Sequence, residues 1–306
     1  MGAGHDHGIS RPVAGSAGAR HRRSLVLALG LTSTFLVAEV VGALISGSLA
    51  LLADAAHMAT DAGGLALALF AIWFAARPAT PAKTYGYLRA EVLAALANAV
   101  VLLLLTVYIL YEAWQRLFEP PEILSVPMLV VAVVGLVVNL ISMRLLAAGS
   151  KESLNLKGAY FEVLADMLGS VAVIVSALVI MFTGWTLVDP IVGAGIGLFI
   201  VPRTWALLSQ AVNILLEGTP TGLDLQKLEE ALREIDSVTD LHDLHVWTIT
   251  SGVDAMSGHL VIAEGTDEQA LLRRAQQKLH DQFGIDHTTI QIETAATAGL
   301  EKRIDI

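Results

Sequence analysis

The stretch LALLADAAHMATDAGGLALALFAIWFAA, Leu49 to Ala76, decides the fold. It is long and apolar enough to cross a bilayer as a helix, for which roughly 20 residues suffice, yet it carries Asp54, His57 and Asp61. At 100° per residue these positions, i, i+3 and i+7, fall within one narrow helical stripe. Ionisable groups inside a span are costly unless paired or hydrated, so such a stripe marks a functional path. A second apolar stretch repeats the arrangement: in Glu162-Val163-Leu164-Ala165-Asp166 two acids again stand four residues apart on one face. Gly158, Ala165 and Gly169 share that face, small residues that let another helix approach closely. The two stripes are therefore expected to meet, and something charged is handled inside the membrane.

Working outward, the whole chain has the composition of an integral membrane protein, with 55% hydrophobic residues, 16% charged residues and a mean hydropathy of +0.64. Six apolar stretches, at about 24–46, 49–76, 88–117, 124–147, 159–183 and 188–215, predict an all-α transmembrane domain of six helices over 24–216. The first is too long for a signal-peptide core and is expected to remain in the mature protein. Arg11, Arg20, Arg22 and Arg23 precede it in a tail of residues 1–23. Arg77, Lys83, Arg89, Arg144, Lys151 and Lys157 fall in the even-numbered turns, whereas the opposite turns carry only Arg116. By the positive-inside rule both termini are cytoplasmic in a multi-pass inner (plasma) membrane protein.

The net charge of −10 resides entirely in residues 217–306, which hold 17 acidic and 7 basic side chains against 12 of each before them. An acidic segment is a poor match for nucleic acid and compatible with cations, though solubility alone accounts for it. Its pattern is that of a small soluble domain. Leu225, Leu228, Leu232 and Ile235 form a helical stripe, strands follow at 241–250 and 257–263 around a Ser251-Gly252 turn, a helix starts at Thr266 with Leu271, Ala275 and Leu279 inward, and 288–293 is a third strand. The order αββαβ predicts a compact two-layer α+β domain.

There is no cysteine, so any ligand set for a transition metal must be imidazole and carboxylate. His57 is the only histidine of the membrane region, and neither the second nor the fifth apolar stretch contains a Lys or Arg to pair the acids. One imidazole and three carboxylates can supply the four ligands of a tetrahedral divalent cation. Such ligands shed protons to bind metal, which links occupancy to pH and is a physical basis for proton antiport. A static interhelical hydrogen-bonding cluster is the plainer alternative, weakened by the pairing of the motif on two helices.

At Ser48-Leu49-Ala50-Leu51-Leu52-Ala53-Asp54-Ala55-Ala56-His57-Met58-Ala59-Thr60-Asp61, at Asn155-Leu156-Lys157-Gly158-Ala159-Tyr160, at His242-Asp243-Leu244-His245-Val246-Trp247 and at Thr289-Ile290-Gln291-Ile292-Glu293 the chain resembles the cation diffusion facilitators, in particular their heavy-metal-resistance branch. The resemblance covers almost the whole chain. It implies a homodimeric, non-enzymatic antiporter with six membrane helices and a metallochaperone-like cytoplasmic domain. It exports zinc first, with cobalt and cadmium next, in exchange for protons, and needs no cofactor beyond the metals it carries. The family's transport site maps to His57, Asp61, Glu162 and Asp166, with Glu162 standing where a histidine is frequent. An anionic oxygen there makes the site harder and more negative, which should broaden acceptance beyond zinc.

The same resemblance implies a regulatory site at the dimer interface of the cytoplasmic domain, drawn from His242, His259 and Glu293 or the neighbouring Asp286 and His287. His245, three residues from His242 on a regular strand, is expected on the other face, and His280 on an exposed helix face is expected to be solvated. His5 and His7 form a weak capturing motif in the tail. Asp54 is expected behind the site, as an outer-shell or proton-accepting group, while Glu39, Asn98 and Asn139 line the path or bond helix to helix. The rival functions are an intramembrane metal-dependent hydrolase, which lacks a His-Glu-x-x-His signature, and a membrane metal sensor without transport.

Overall fold

The computed structural model describes the backbone of residues 22–75, 77–147, 154–250 and 252–298, and within these all side chains except those of 22–26, 28–29, 61, 64–72, 75 and 154–159. Six long helices occupy the apolar stretches: α1 (Arg22–Ser46), α2 (Leu49–Ala75), α3 (Ala90–Phe118), α4 (Ser125–Ala147), α5 (Leu154–Thr183) and α6 (Val188–Leu215). Among the described residues four segments are long and apolar enough to cross a membrane: α3, α4, Tyr160–Thr183 of α5, and α6. The described apolar parts of α1 and α2, Gly30–Ser46 and Leu49–Thr60, are shorter. The chain is a multi-pass membrane protein whose helices carry the ionisable stripes.

The chain falls into two compact units, residues up to 63 with 100–204, and 64–99 with 205 onward. In the first, α1 packs on α4 and α4 on α5. Lipid is as apolar as leucine, so helices associate there through close packing more than through the hydrophobic effect. Small residues permit it: a methyl on Gly42 would strike Val131, and one on Gly135 would strike the Phe35 ring. Large apolar side chains such as Leu44, Phe182 and Phe199 point outward, as lipid-facing residues do.

The second unit contains the predicted αββαβ order as α7 (Leu225–Arg233), β1 (Val238–Thr250), β2 (Val253–Ile262), α8 (Glu268–Phe283) and β3 (His287–Thr294). The sheet order is β1-β2-β3, with β1 and β2 antiparallel and β2 and β3 parallel across the α8 connection. Leu228 and Leu232 of α7, Leu271 and Leu279 of α8, and Met256 and Leu260 of β2 form one buried core between helices and sheet. The second helix is capped one residue later than the capping-box pattern suggests. Its cap is Asp267, whose carboxylate accepts from the Gln269 and Ala270 N–H groups, while the Thr266 hydroxyl donates to the Ala263 carbonyl instead.

One irregularity in β1 decides which face each of its histidines takes. His242 pairs with His259 and His245 with Ser257, so Asp243 and Leu244 together oppose Gly258 alone, and Asp243 takes the left-handed φ of 52°. This β-bulge adds one residue and resets the alternation. Leu241, Leu244 and Val246 consequently all pack on the core, and His245 returns to the face of His242. The expectation that His245 points away from His242 assumed a regular strand and is overturned by the bulge.

Candidate metal sites

In the first unit α2 and α5 bring two of the motif residues together. His57 Nε2 stands 3.8 Å from Asp166 Oδ1, and both side chains are buried. That separation is too long for a hydrogen bond. It is close to the spacing of roughly 3.3 Å between two ligand atoms on one tetrahedral zinc, given bonds of about 2.0–2.1 Å. Thr60, one turn beyond His57, turns its hydroxyl back onto the Ala56 and His57 carbonyls. The contact of α2 with α5 depends on Gly169, one turn from Asp166, because a methyl there would overlap the Asp54 carboxylate.

Glu162 lies four residues before Asp166 on α5 and is half-buried. Its Oε1 accepts a hydrogen bond from Arg203 Nη2 of α6 at 2.7 Å, and both partners lie within electrostatic range of His57. The positive charge missing from the second and fifth segments thus reaches Glu162 from the sixth. Asp61 is in α2, but its side chain lies outside the described residues, as do His5 and His7. Asp54 is buried on α2 with its carboxylate against Gly169 of α5, one turn from Asp166. Glu39 of α1 is buried beside it. Asn139, fully buried on α4, donates to the Ser170 hydroxyl of α5 at 3.4 Å and so bonds helix to helix. Asn98 of α3 is half-buried.

A further cluster joins residues far apart in the sequence. Asp189, fully buried at the start of α6, accepts from the Ser48 hydroxyl at 2.5 Å and from the Leu49 and Ala50 N–H groups at 2.7 and 3.3 Å. An acid of one helix thereby caps the N-terminus of another, satisfying donors that lipid cannot. Arg116 of α3 completes it, 3.8 Å from Asp189 and donating to the Gly47 carbonyl at 2.6 Å. The helix that carries His57 is fixed at its origin by this clamp. Ser48 before an apolar run was a readable cap signal, but its partner some 140 residues away was not.

In the cytoplasmic-type domain His242, His259 and Glu293 offer ligand atoms that all lie within 4.8 Å of one another. His259 Nδ1 is 3.1 Å and His242 Nε2 3.5 Å from the Glu293 carboxylate, and the two rings meet edge to face at 5.1 Å. Register explains the meeting: His242 is directly opposite His259, and Glu293 lies opposite Val261, two residues along on the same face of β2. That face is the one without helices. The Gln291 amide donates to Glu293 Oε1 at 2.8 Å and orients it, the usual role of an outer-shell partner. Asp243, placed by the bulge, stands 3.1 Å from His245 Nε2 and 3.9 Å from His259 Nε2. His287 is not part of this group; it opens β3 opposite Ala255 and packs its ring against Tyr85 at 5.7 Å. Asp286 instead faces His280 Nδ1 at 2.5 Å, so His280 is exposed yet paired, and the carboxylate holds its imidazole above the usual range.

Residues 25–216 match the cation efflux transmembrane domain and residues 220–295 the cation efflux protein cytoplasmic domain. The metal cation efflux system protein CzcD of Cupriavidus metallidurans is 50% identical over 296 residues, 96% of this chain and 91% of that protein. The zinc transporter ZitB of Escherichia coli is 43% identical over 89% of this chain and 87% of its own. The cadmium, cobalt and zinc/H(+)-K(+) antiporter of Bacillus subtilis is 35% identical over 97% and 93%. A solved metal-bound C-terminal domain of the Cupriavidus CzcD transporter is 35% identical over 23% of this chain and 99% of its own, with a TM-score of 0.23. With both domains matched and half of all residues shared along nearly the full length, the chain belongs to the cation efflux, or cation diffusion facilitator, family of heavy-metal efflux proteins.

Proposed function

We propose that the protein exports divalent transition-metal cations, zinc first and cobalt and cadmium next, from the cytoplasm in exchange for protons. The observation that carries this reading is the buried His57–Asp166 pair on α2 and α5, with Glu162 one turn before Asp166. Asp61 completes the four-ligand site from α2, one turn beyond His57. A cation bound there needs His57 neutral and the acids ionised, so releasing it outward and reloading protons is one exchange. Helix rocking that exposes the site alternately to the two sides converts the exchange into transport. Relatives named for zinc, for cadmium, cobalt and zinc, and for antiport support the choice of substrate and coupling.

In this reading all six helices span the bacterial inner membrane within a domain of residues 24–216, both termini are cytoplasmic, and residues 217–306 form a regulatory and dimerisation domain of a homodimer. The match of 220–295 to the family's cytoplasmic domain supports the last point. His242, His259 and Glu293 make a three-ligand metal site on the helix-free sheet face, leaving a position for water or a further ligand. His5 and His7 capture metal weakly. Neither a hydrolase nor a flux-free sensor draws support from the relatives.

Proteoliposomes containing the protein should take up zinc with stoichiometric proton counterflow, and Asp61→Asn or Asp166→Asn should abolish both. Normal transport by both variants would refute the site; zinc binding without flux in the wild type would favour the sensor.

A further inference from the structure

We propose that Arg203 is a built-in competitor of the transported metal: it holds the Glu162 carboxylate while no metal is bound and yields it on metal arrival, lowering the affinity for every cation alike and easing release. The inference rests on the reading above that Glu162 is a ligand of the transported metal. Its basis is the 2.7 Å bond from Arg203 Nη2 to Glu162 Oε1, made between α6 and α5 within one unit, with both groups acting on His57. A guanidinium keeps its charge at any physiological pH and has no lone pair for a metal. It can therefore only contend for the oxygen, never join the coordination sphere.

Three features make the pair exchangeable rather than locked. The side chains are 57% and 34% exposed, so packing does not lock the bond in place. Arg203 follows Pro202, which lies inside α6 and offers no N–H to the Leu198 carbonyl, so the backbone carrying the guanidinium has one helical bond fewer. The pair also matches in charge: an anionic Glu162 without metal would stand uncompensated in an apolar bundle, whereas a neutral imidazole at that position would leave a fixed cation facing it. Glutamate at 162 and arginine at 203 thus form a unit. Since the cost of moving Arg203 aside is the same for each metal, it sets affinity and release and leaves the ranking of metals to the ligands. A carrier gains from this, because binding must be weak enough to let the ion leave.

The test uses purified full-length protein, with zinc, cobalt and cadmium affinities measured by competition against a chromogenic chelator and flux measured in proteoliposomes. Arg203→Gln should tighten binding of all three metals by the same factor, roughly three- to tenfold, and lower both KM and maximal flux. Arg203→Lys should stay close to wild type, and Arg203→Gln should change nothing in a Glu162→Gln background. Where Arg203→Gln does not fold, Arg203→Met, which keeps the stem and loses the charge, takes its place. If Glu162→Gln weakens binding while neutral substitutions of Arg203 leave it unchanged or weaken it, the competitor role falls and the ligand role of Glu162 stands. If Glu162→Gln leaves affinity unaltered, Glu162 is no ligand and both readings fall.

Discussion

Single side chains set the terms of this protein's chemistry, and in the proposed reading Glu162 sets its selectivity. Its oxygen replaces the imidazole nitrogen frequent at this position in the family, so Glu162→His should move transport toward zinc. Zinc flux relative to cobalt and cadmium should rise by roughly fivefold, about 1 kcal/mol, measured in vesicles at equal metal concentrations; an unchanged ratio removes Glu162 from the account of selectivity. Asp189 acts by a different route. Three donors and a nearby arginine converge on its carboxylate, so Asp189→Asn leaves buried donors poorly matched and should cost roughly 2–3 kcal/mol. A large fall in the thermal midpoint of detergent-purified protein is expected, with transport lost in proportion to folded protein. His280 gives the soluble domain a pH-dependent contact. Asp286 raises its imidazole above the unfolded value of about 6.5, so the stabilisation is complete below that pH and disappears as pH rises through the higher folded value. His280→Gln should remove this part of the stability–pH profile, which lies above about pH 6.5, and leave the remainder unaltered, as denaturant midpoints across the neutral range would show.

At the scale of elements, glycine decides where helices touch. A methyl at Gly169 would occupy the place of the Asp54 carboxylate, and Gly169→Ala should push α5 from α2 at an overpacking cost of roughly 1–3 kcal/mol. Because the displaced stretch carries Asp166 one turn away, metal affinity should fall more than folded yield does; equal losses in both would mean that the glycine serves packing alone. This contact was half legible in the sequence. Small residues on the face of Glu162 and Asp166 announced a close neighbour, and apolar periodicity placed every long helix to within a few residues. What escaped was the identity of partners far apart in the chain: Arg203 for Glu162, and Asp189 for the start of α2. No local pattern encodes which of several helices presents its charge to a given face. The cytoplasmic strands show a different limit. Their alternation was readable, but the bulge at Asp243 and Leu244 reverses it midway, since a strand's parity holds only while one residue faces one residue. His287 fell outside the ligand group for a related reason, for it starts β3 while Glu293 lies near its end.

For the molecule as a whole, the cation efflux architecture joins a membrane path to a soluble domain with its own cluster of metal-binding type. The two should respond to metal in separable ways. A ligand that binds only the folded state stabilises it by RT ln(1 + [L]/Kd), about 2.7 kcal/mol at a hundredfold excess over Kd. Removing metal with a chelator should therefore lower the unfolding midpoint of the cytoplasmic domain within the full-length protein, and adding zinc should restore it. His259→Ala or Glu293→Gln should abolish that zinc-dependent shift, because each removes one of only three converging ligands, whereas Asp166→Asn should preserve it while eliminating flux. His287→Ala should keep the shift, since its ring rests against Tyr85 and not against the other two histidines. If metal at the cytoplasmic cluster also raises the affinity of the membrane site, then the His259 and Glu293 variants should show a higher KM for zinc with the maximal rate unchanged. By reciprocity, blocking the membrane site should weaken zinc binding at the cytoplasmic cluster by the same coupling factor. Independent affinities at the two sites, measured by titrating each in the presence and absence of the other, would leave the soluble domain as a dimerisation module that binds metal without governing transport.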